Sequence, residues 1–200
     1  MTPLPQEQCY TYADLLEWDD NVRYELYSGV PVAQASPSDT HQDIAGEIYF
    51  QLKSYLRGKA CKVYYAPFDV RLFEEEGEGP EEVNFVLQPD LMVVCDQNKV
   101  DRHGIHGAPD LVVEVLSPGT ARYDKIIKLG LYQRAGVPEY WVVDPVSRCV
   151  SVYLIKNGVY RSPAVYDASS SVPVHVLDAC QVDLSTVFPI SPKKKHAPER

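Results

Sequence analysis

Apolar residues that recur every three or four positions mark one strong helix in the chain. Between residues 41 and 57 five apolar side chains share one helical face: Ile44, Ile48, Leu52, Tyr55 and Leu56. Thr40 and Asp43 suit an N-terminal cap, and Gly58 suits the end of the segment. The spacing therefore predicts a helix over residues 41–57.

Two weaker patterns predict further helices on either side of the chain's middle. Residues 10–18 contain a short apolar pattern, with Thr11 and Asp14 spaced as in a capping box. Residues 122–135 are helical in character, and Gly136 suits a left-handed C-terminal cap. We therefore expect three helices separated by β-structure.

Short β-rich runs predict the strands. Three of them are apolar enough to be buried: residues 89–95, 110–116 and 139–144. Residues 62–73 predict a strand with a break near Pro67. Hairpins are predicted over residues 22–35, around Ser28-Gly29, and over residues 148–161, around Asn157-Gly158. Residues 96–108 are turn-rich, and residues 172–189 hold at most a short strand and a turn.

This order of elements predicts an α/β (α+β) fold with a mixed central β-sheet flanked by helices. The 200 residues suit one domain over residues 1–190, followed by a disordered basic tail over residues 191–200. No apolar run approaches a membrane span, and the N-terminus lacks the features of a secretory signal. We therefore expect a cytoplasmic protein with no membrane partner.

The cysteines give no metal or disulfide signature. There are five of them, at Cys9, Cys61, Cys95, Cys149 and Cys180, and no two have the C-x-x-C spacing. An odd number cannot fully pair, so the sequence predicts reduced thiols rather than a disulfide framework.

The formal net charge of −9 counts against an ordinary nucleic-acid binder, which carries a basic face. Much of the negative charge lies in one stretch, Glu74–Glu82, which is typical of a solvated loop. A bound divalent cation would also reverse the local field at an acidic site.

Two carboxylates are the strongest candidates for chemistry. Asp90 opens one predicted buried strand, and Glu114 lies inside another among valines and leucines. A buried carboxylate needs a cation or a hydrogen-bonded partner. If their strands are neighbours, the two side chains can meet and hold Mg²⁺ together with water and a phosphate oxygen. A structural ion pair is the competing explanation for Glu114.

Further residues have weaker claims on the same site. Asp110 shares the face of Glu114 and also follows a proline, so it could replace Asp90 as the second ligand. Glu25 could be a further ligand or a cross-strand partner. His41 at a helix start is either a cap or a supporting group. Lys128 is spaced four residues from Asp124 and from Tyr132, so it either faces the site or pairs with Asp124 on the helix surface.

These residues together resemble a known family. The matching pieces are Tyr24-Glu25-Leu26 with Gly29, His41, Pro89-Asp90-Leu91, the run from Pro109 through Glu114 to Pro118, Tyr123-Asp124, Lys128, Tyr132, and Gly136 through Trp141 to Asp144-Pro145. They resemble the Uma-type family of restriction endonucleases, within the PD-(D/E)xK nuclease superfamily, over about residues 10–188. The resemblance implies a restriction-endonuclease-like fold and a magnesium-dependent phosphodiesterase site.

One position departs from the superfamily pattern. The motif lysine should stand two residues after Glu114, where this chain has Leu116. The resemblance implies that Lys128 on the following helix replaces it, with Lys125 as a substitute. Asp90, Glu114 and Lys128 are then the expected catalytic residues, and Asp90 and Glu114 the expected ligands of Mg²⁺ or Mn²⁺.

The functional expectation is an endonuclease acting on nucleic acid, with DNA preferred over RNA. A nuclease that cuts both strands of a duplex often forms a two-fold homodimer. Two alternatives stay open at this point. One is a catalytically inactive nucleic-acid-binding module of the same fold, and the other is an interaction protein that does not bind nucleic acid.

Overall fold

The computed structural model describes residues 9–18, 22–75, 77–117 and 123–188, and the side chains of residues 123–125 lie outside the description. The predicted tail, residues 191–200, also falls outside it. The predicted α/β class is confirmed. Among the described residues, no helix is both long and apolar enough to cross a membrane.

The helices and strands follow one another along the chain in this order: α1 (Tyr12–Glu17), β1 (Arg23–Tyr27), β2 (Val30–Gln34), α2 (Asp39–Tyr55), β3 (Lys62–Tyr65), β4 (Asp69–Arg71), β5 (Val86–Leu87), β6 (Leu91–Val94), a 3-10 turn (Gln97–Lys99), β7 (Gly104–His106), β8 (Leu111–Val115), a π-helical turn (Tyr123–Lys128), α3 (Leu129–Ala135), β9 (Glu139–Asp144), β10 (Cys149–Lys156), β11 (Val159–Tyr160), β12 (Ala164–Asp167), β13 (Ser171–Pro173), β14 (Gln181–Asp183) and α4 (Leu184–Val187).

Within the described part of the chain, the larger sheet has seven strands. Six of them lie in the order β11-β10-β9-β8-β6-β3, and β12 pairs with β10. Strands β8 and β9 are parallel, whereas β6 is antiparallel to both β3 and β8. The three strands predicted as buried are β6, β8 and β9, and they form the centre of this mixed sheet. The prediction of a mixed central sheet is therefore confirmed.

A second sheet was not predicted. Its described strands lie in the order β2-β1-β5-β4-β7, with β4 and β7 parallel. Strands β5 and β7 have only two and three residues, too few to show an alternating pattern. The break near Pro67 is confirmed, and it places β3 in the larger sheet and β4 in the smaller one.

Apolar side chains fill both faces of the larger sheet. On one face α2 contributes Ile44, Ile48 and Leu52 to a cluster that includes Val113 and Trp141. On the other face Val112 and Tyr140 pack with Tyr132 of α3 in a second cluster. Because side chains alternate along β8, Glu114 shares the face of Val112. The carboxylate of Glu114 therefore lies on the same face of the sheet as the second apolar cluster.

Several local predictions need correction. Helix α2 begins at Asp39 rather than at residue 41, because the side chain of Ser38 accepts a hydrogen bond from the backbone N–H of His41 at 3.2 Å. Residues 171–187 contain two strands and α4, more structure than was predicted. Between them lies a turn in which Cys180 is buried, which raises the pKa of its thiol to about 11.

The prediction of reduced thiols is wrong for one pair. Cys61 precedes β3 and Cys95 follows β6, and the two residues are joined by a disulfide bond. The register pairs Lys62 with Val94, so the two cysteines lie opposite each other at the end of the strand pair. Spacing along the chain could not show this pairing, because the two residues are 34 positions apart.

The turn at Ser28-Gly29 is confirmed and requires glycine. Both residues have positive φ, 53° and 77°, as the tight turn between β1 and β2 demands. A Cβ at Gly29 would also lie 2.9 Å from the carbonyl oxygen of Tyr10. Tyr10 is held against the hairpin because its backbone N–H donates to the carbonyl oxygen of Gly29 at 2.8 Å. The hairpin fixes the position of Glu25 on β1.

Glu139, at the start of β9, is a buried carboxylate outside the predicted site. Its Oε1 accepts from the indole Nε1 of Trp141 at 2.7 Å, and its Oε2 accepts from the backbone N–H of Val176 at 2.9 Å. Burial raises its pKa, and these hydrogen bonds oppose that shift. Glu139 therefore fastens the loop that precedes β14 to the centre of the larger sheet.

Replacing Glu139 with alanine should lower the free energy of unfolding by about 2 kcal/mol or more, because two buried donors lose their acceptor. Urea unfolding followed by circular dichroism measures this change. Glu81→Ala, at an exposed position of the acidic loop, is the matched control and should change stability by less than about 0.5 kcal/mol. Equal, small effects in both variants would contradict the proposed fastening role.

Candidate active site

The two predicted carboxylates lie opposite each other on neighbouring strands. The antiparallel register of β6 and β8 pairs Leu91 with Val113, so the next step pairs Asp90 with Glu114. Both residues line one cavity of about 720 Å³, together with His41 and Lys128. The structure therefore brings together the pair that the sequence analysis singled out.

Asp90 lies at the edge of the sheet, where it reaches both α2 and β8. Its Oδ2 accepts a hydrogen bond from the backbone N–H of Val115 at 2.7 Å and lies 3.0 Å from Nε2 of His41. Neither contact uses Oδ1, and the side chain is 20% exposed. Asp90 is thus held in place through one oxygen while the carboxylate still faces the cavity.

Glu114 is more deeply placed. Its Oε1 accepts hydrogen bonds from Nζ of Lys128 at 2.9 Å and from the hydroxyl of Tyr132 at 2.8 Å. Both donors approach from the helical segment that follows β8 and bond to the same oxygen, and the other oxygen, Oε2, accepts neither bond. The side chain is only 4% exposed.

Glu25 completes the buried network from the smaller sheet. Its Oε1 lies 3.0 Å from Nζ of Lys128 and accepts from the backbone N–H of Gln88 at 2.8 Å. Its Oε2 accepts from the hydroxyl of Tyr27 at 2.6 Å and from Nε2 of Gln34 at 3.1 Å. Since both oxygens are occupied by protein donors, this geometry favours Glu25 as an anchor for Lys128 rather than as a metal ligand.

Lys128 therefore bridges two carboxylates from two different sheets. Its side chain is only 6% exposed, so Lys128 does not lie on the helix surface, and the side chain of Asp124 is outside the described residues. Lys128 ends the π-helical turn and Tyr132 lies one helical turn later, which lets both side chains reach Glu114. Wider turns of this kind are often found at functional sites.

The tyrosines of the network stay protonated. Burial raises the pKa of Tyr27, with Lys128 opposing and Glu25 reinforcing the shift. Burial likewise raises the pKa of Tyr132, and Glu114 adds to this. Both phenols can therefore act as hydrogen-bond donors to the carboxylates throughout the physiological pH range.

Asp110 and Leu116 lie outside this network. Asp110 lies at the other end of β8 from Glu114, where its Oδ2 accepts from the backbone N–H of Cys95 at 2.7 Å, and it does not line the cavity. The side chain of Lys125 is outside the described residues. Leu116, at the position of the missing motif lysine, is 7% exposed and packs in the apolar cluster around Tyr132.

The sequence analysis missed several partners of this network. Gln34 and Gln88 carried no signal, because a glutamine next to a strand is common. Tyr27 shares the strand face of Glu25, and Tyr132 stands at helical spacing from Lys128, but spacing alone assigns a hydrogen bond to neither tyrosine. The contacts that decide their role depend on side-chain orientation and, for Gln88, on a partner 63 positions away.

Asp90 and Glu114 do not form a complete metal-binding cluster by themselves. Among the described side chains, no three of histidine, cysteine, aspartate or glutamate lie close enough together to form one. Three carboxylates, Asp90, Glu114 and Glu25, nevertheless face one lysine and one histidine. The arrangement suits a cation held by two carboxylates and otherwise by water or substrate oxygens, as Mg²⁺ commonly is.

Comparison with known proteins identifies the family of the chain. Residues 12–185 match the Uma2 family, which is described as "Putative restriction endonuclease". The chain belongs to the Uma2 family. An uncharacterized protein from Synechocystis sp. is 26% identical over 143 residues, which is 70% of this chain and 71% of the relative.

A solved structure shares the fold of this Uma2 family member. It is the crystal structure of "a putative nuclease belonging to DUF820" from Anabaena variabilis, with a TM-score of 0.70. The match covers 89% of this chain and 97% of the other, at 18% identity. At that identity the likeness establishes the fold alone.

Removing Lys128 should destabilise this Uma2 family member strongly, because two buried carboxylates would lose their counter-charge. We expect Lys128→Met to lower the free energy of unfolding by about 3–5 kcal/mol. The double variant Glu114→Gln/Lys128→Met should be more stable than the sum of the single effects by about 1 kcal/mol or more. Urea unfolding of all four proteins in this cycle measures the coupling.

The matched control for this cycle is Lys156→Met, at an exposed position of β10. It should change stability little, since an exposed lysine loses no buried partner. Strict additivity of the Glu114 and Lys128 substitutions would show that the pair does not contribute as described.

Proposed function

We propose that this protein is a metal-dependent nuclease that hydrolyses phosphodiester bonds, with DNA as the expected substrate. The observation that carries the proposal is the placement of Asp90 opposite Glu114, within one cavity, beside a buried lysine. Membership of a family described as restriction endonucleases supports it. The Anabaena variabilis protein, itself described as "a putative nuclease", adds support through the shared fold.

The donor set fits Mg²⁺, or Mn²⁺ in its place, with Asp90 and Glu114 as the residues that would hold it. Both carry hard oxygen donors, and both line the same cavity. Three carboxylates against one lysine leave an excess of negative charge that a divalent cation would neutralise. When bound, such an ion polarises a phosphate and lowers the pKa of its bound water.

The other residues have positioning and electrostatic roles in this proposal. His41 and the backbone N–H of Val115 hold Asp90 at the edge of the cavity. Glu25 and Tyr132 hold the ammonium of Lys128 and the carboxylate of Glu114 in fixed positions. Lys128 lines the cavity, so its charge can stabilise the negative charge that develops on a phosphate during hydrolysis.

An inactive nucleic-acid-binding module is the second candidate. The observation that favours it is the closure of the network around Lys128: its ammonium already contacts two carboxylates and is almost fully buried. In an inactive module this ion pair would serve stability alone. Metal-dependent cleavage separates the two candidates directly.

Asp90→Asn should abolish cleavage, whereas Asp110→Asn should leave it intact. Both aspartates follow a proline and precede a strand of the same sheet, but only Asp90 lines the cavity. Loss of one metal-holding carboxylate should reduce the rate of DNA cleavage in Mg²⁺ or Mn²⁺ by at least about 100-fold. Gel analysis of labelled single-stranded and duplex DNA measures the rates.

Equal activity of the Asp90 variant and the parent protein would rule out the proposed site. Cleavage by neither the parent nor the Asp110 variant, in either metal, would favour the inactive module. Circular dichroism of both variants confirms that each is folded.

Metal binding itself should stabilise the folded protein. A cation that binds only the folded state at 100 times its Kd adds about 2.7 kcal/mol to the free energy of unfolding. Thermal unfolding with and without Mn²⁺ should therefore show a higher Tm for the parent and for Asp110→Asn, but not for Asp90→Asn. A similar rise in all three proteins would place the ion elsewhere.

A further inference from the structure

One stretch of this acidic chain is basic and aromatic. Residues 48–68 contain no aspartate or glutamate, although the whole chain has a formal net charge of −9. The stretch carries four basic residues: Lys53, Arg57, Lys59 and Lys62. It also carries six aromatic residues: Tyr49, Phe50, Tyr55, Tyr64, Tyr65 and Phe68. Such a combination within a negatively charged protein suggests a surface for an anionic, aromatic ligand.

The fold places part of this stretch next to the candidate active site. Tyr49 of α2 and Tyr65 of β3 pack edge to face, with ring centroids 4.9 Å apart. Both tyrosines line the active-site cavity, and both also line a second cavity of about 450 Å³. The two cavities therefore adjoin each other at this tyrosine pair.

The second cavity has the lining that a nucleic-acid strand requires. Lys53 and Lys62 are exposed and lie on its walls, where each can contact a phosphate. Tyr64 and Phe68, which stack with ring centroids 5.1 Å apart, also line it, together with Pro67. We call the surface formed by Tyr49, Lys53, Lys62 and Tyr65 the aromatic-basic groove.

Tyr65 is difficult to explain by packing alone. It is 58% exposed, although it is a large aromatic residue on a strand of the larger sheet. An exposed aromatic face beside lysines can stack on a nucleic-acid base, and such stacking is largely independent of sequence. The exposure therefore points to a ligand rather than to the core.

We propose that the aromatic-basic groove binds single-stranded nucleic acid on one side of the scissile phosphate. This inference rests on the proposed nuclease function, because it takes the active-site cavity as the place of cleavage. Bases stack on Tyr65 and Tyr49, and the phosphates between them contact Lys53 and Lys62. The strand then enters the cavity that contains Asp90 and Glu114.

The depth of the site favours a single strand over a duplex. The side chains of Glu114 and Lys128 are 4% and 6% exposed, so a phosphate must enter the cavity to approach them. In a duplex the bases stack on one another and are not available to a protein tyrosine, whereas a single strand can spread its bases. The exposed Tyr65 and the buried Glu114 and Lys128 therefore both favour a single strand over a duplex.

Fluorescence anisotropy with a labelled oligothymidylate tests the proposal, with EDTA present so that no cleavage occurs. The full-length parent protein should bind this strand more tightly than a blunt duplex of the same length. Tyr65→Ala should weaken binding about ten-fold or more. An oligouridylate probe in the same assay shows whether RNA is accepted.

The lysine substitutions have a distinct signature. Lys53→Gln and Lys62→Gln should each weaken binding and reduce the slope of log affinity against log salt by about 0.7, as for one lost phosphate contact on a single strand. Two matched controls lie outside both cavities among the described residues: Phe50→Ala, a 64% exposed aromatic residue of α2, and Lys156→Gln on β10. Both controls should bind like the parent.

Equal losses in the controls and the groove variants, or equal affinity for duplex and single strand, would overturn the proposal. So would unchanged binding by Tyr65→Ala. Because the assay contains no metal, these outcomes do not depend on cleavage.

A separate cleavage assay distinguishes the groove from the nuclease function. Loss of strand binding in the groove variants, while the parent fails to cleave, would support the groove and reject the nuclease function. Cleavage by the parent together with unchanged binding in the groove variants would support the nuclease function and reject the groove.

Discussion

The ammonium of Lys128 lies buried between Glu25 of the smaller sheet and Glu114 of the larger sheet, 3.0 and 2.9 Å from their oxygens. A charge removed from water in this way is tolerated only when its partners are held in place. The two sheets therefore cannot shift against each other without separating a buried ion pair. This coupling between sheet placement and charge fixes Glu114, and through the register of β6 and β8 it also fixes the surroundings of Asp90.

The network also explains how a lysine on a helical segment can contact the carboxylate of Glu114. A lysine at position 116 would approach Glu114 along its own strand, but Leu116 packs there in the apolar cluster. Lys128 approaches the same carboxylate from the π-helical turn, and Tyr132 donates to the same oxygen. An amine therefore lies beside the buried carboxylate although position 116 is a leucine. A strict sequence motif would have missed this arrangement.

The amino-acid sequence was enough to predict the centre of the site and not its supports. Asp90 and Glu114 could be predicted as a pair, on the condition that their strands are neighbours, because local pattern predicts both buried strands and alternation predicts the face of each side chain. The donors to Glu25 could not be predicted, because Gln88 lies 63 positions away along the chain and the bonds from Tyr27 and Gln34 depend on side-chain orientations that strand alternation does not fix. The second sheet and the Cys61–Cys95 bond could not be predicted either, because short strands and pairs of residues far apart in the chain leave no periodic signal.

The negative net charge does not argue against nucleic-acid binding when the positions of the charges in the structure are considered. At physiological ionic strength, exposed charges interact over only about 8 Å before salt screens them. The acidic loop Glu74–Glu82 lies against α1, where Ala13 donates to the carbonyl of Pro80. The lysines at positions 53 and 62 lie in the groove beside Tyr65 instead. A phosphate entering that groove therefore meets the local field of two lysines and not the average charge of the chain.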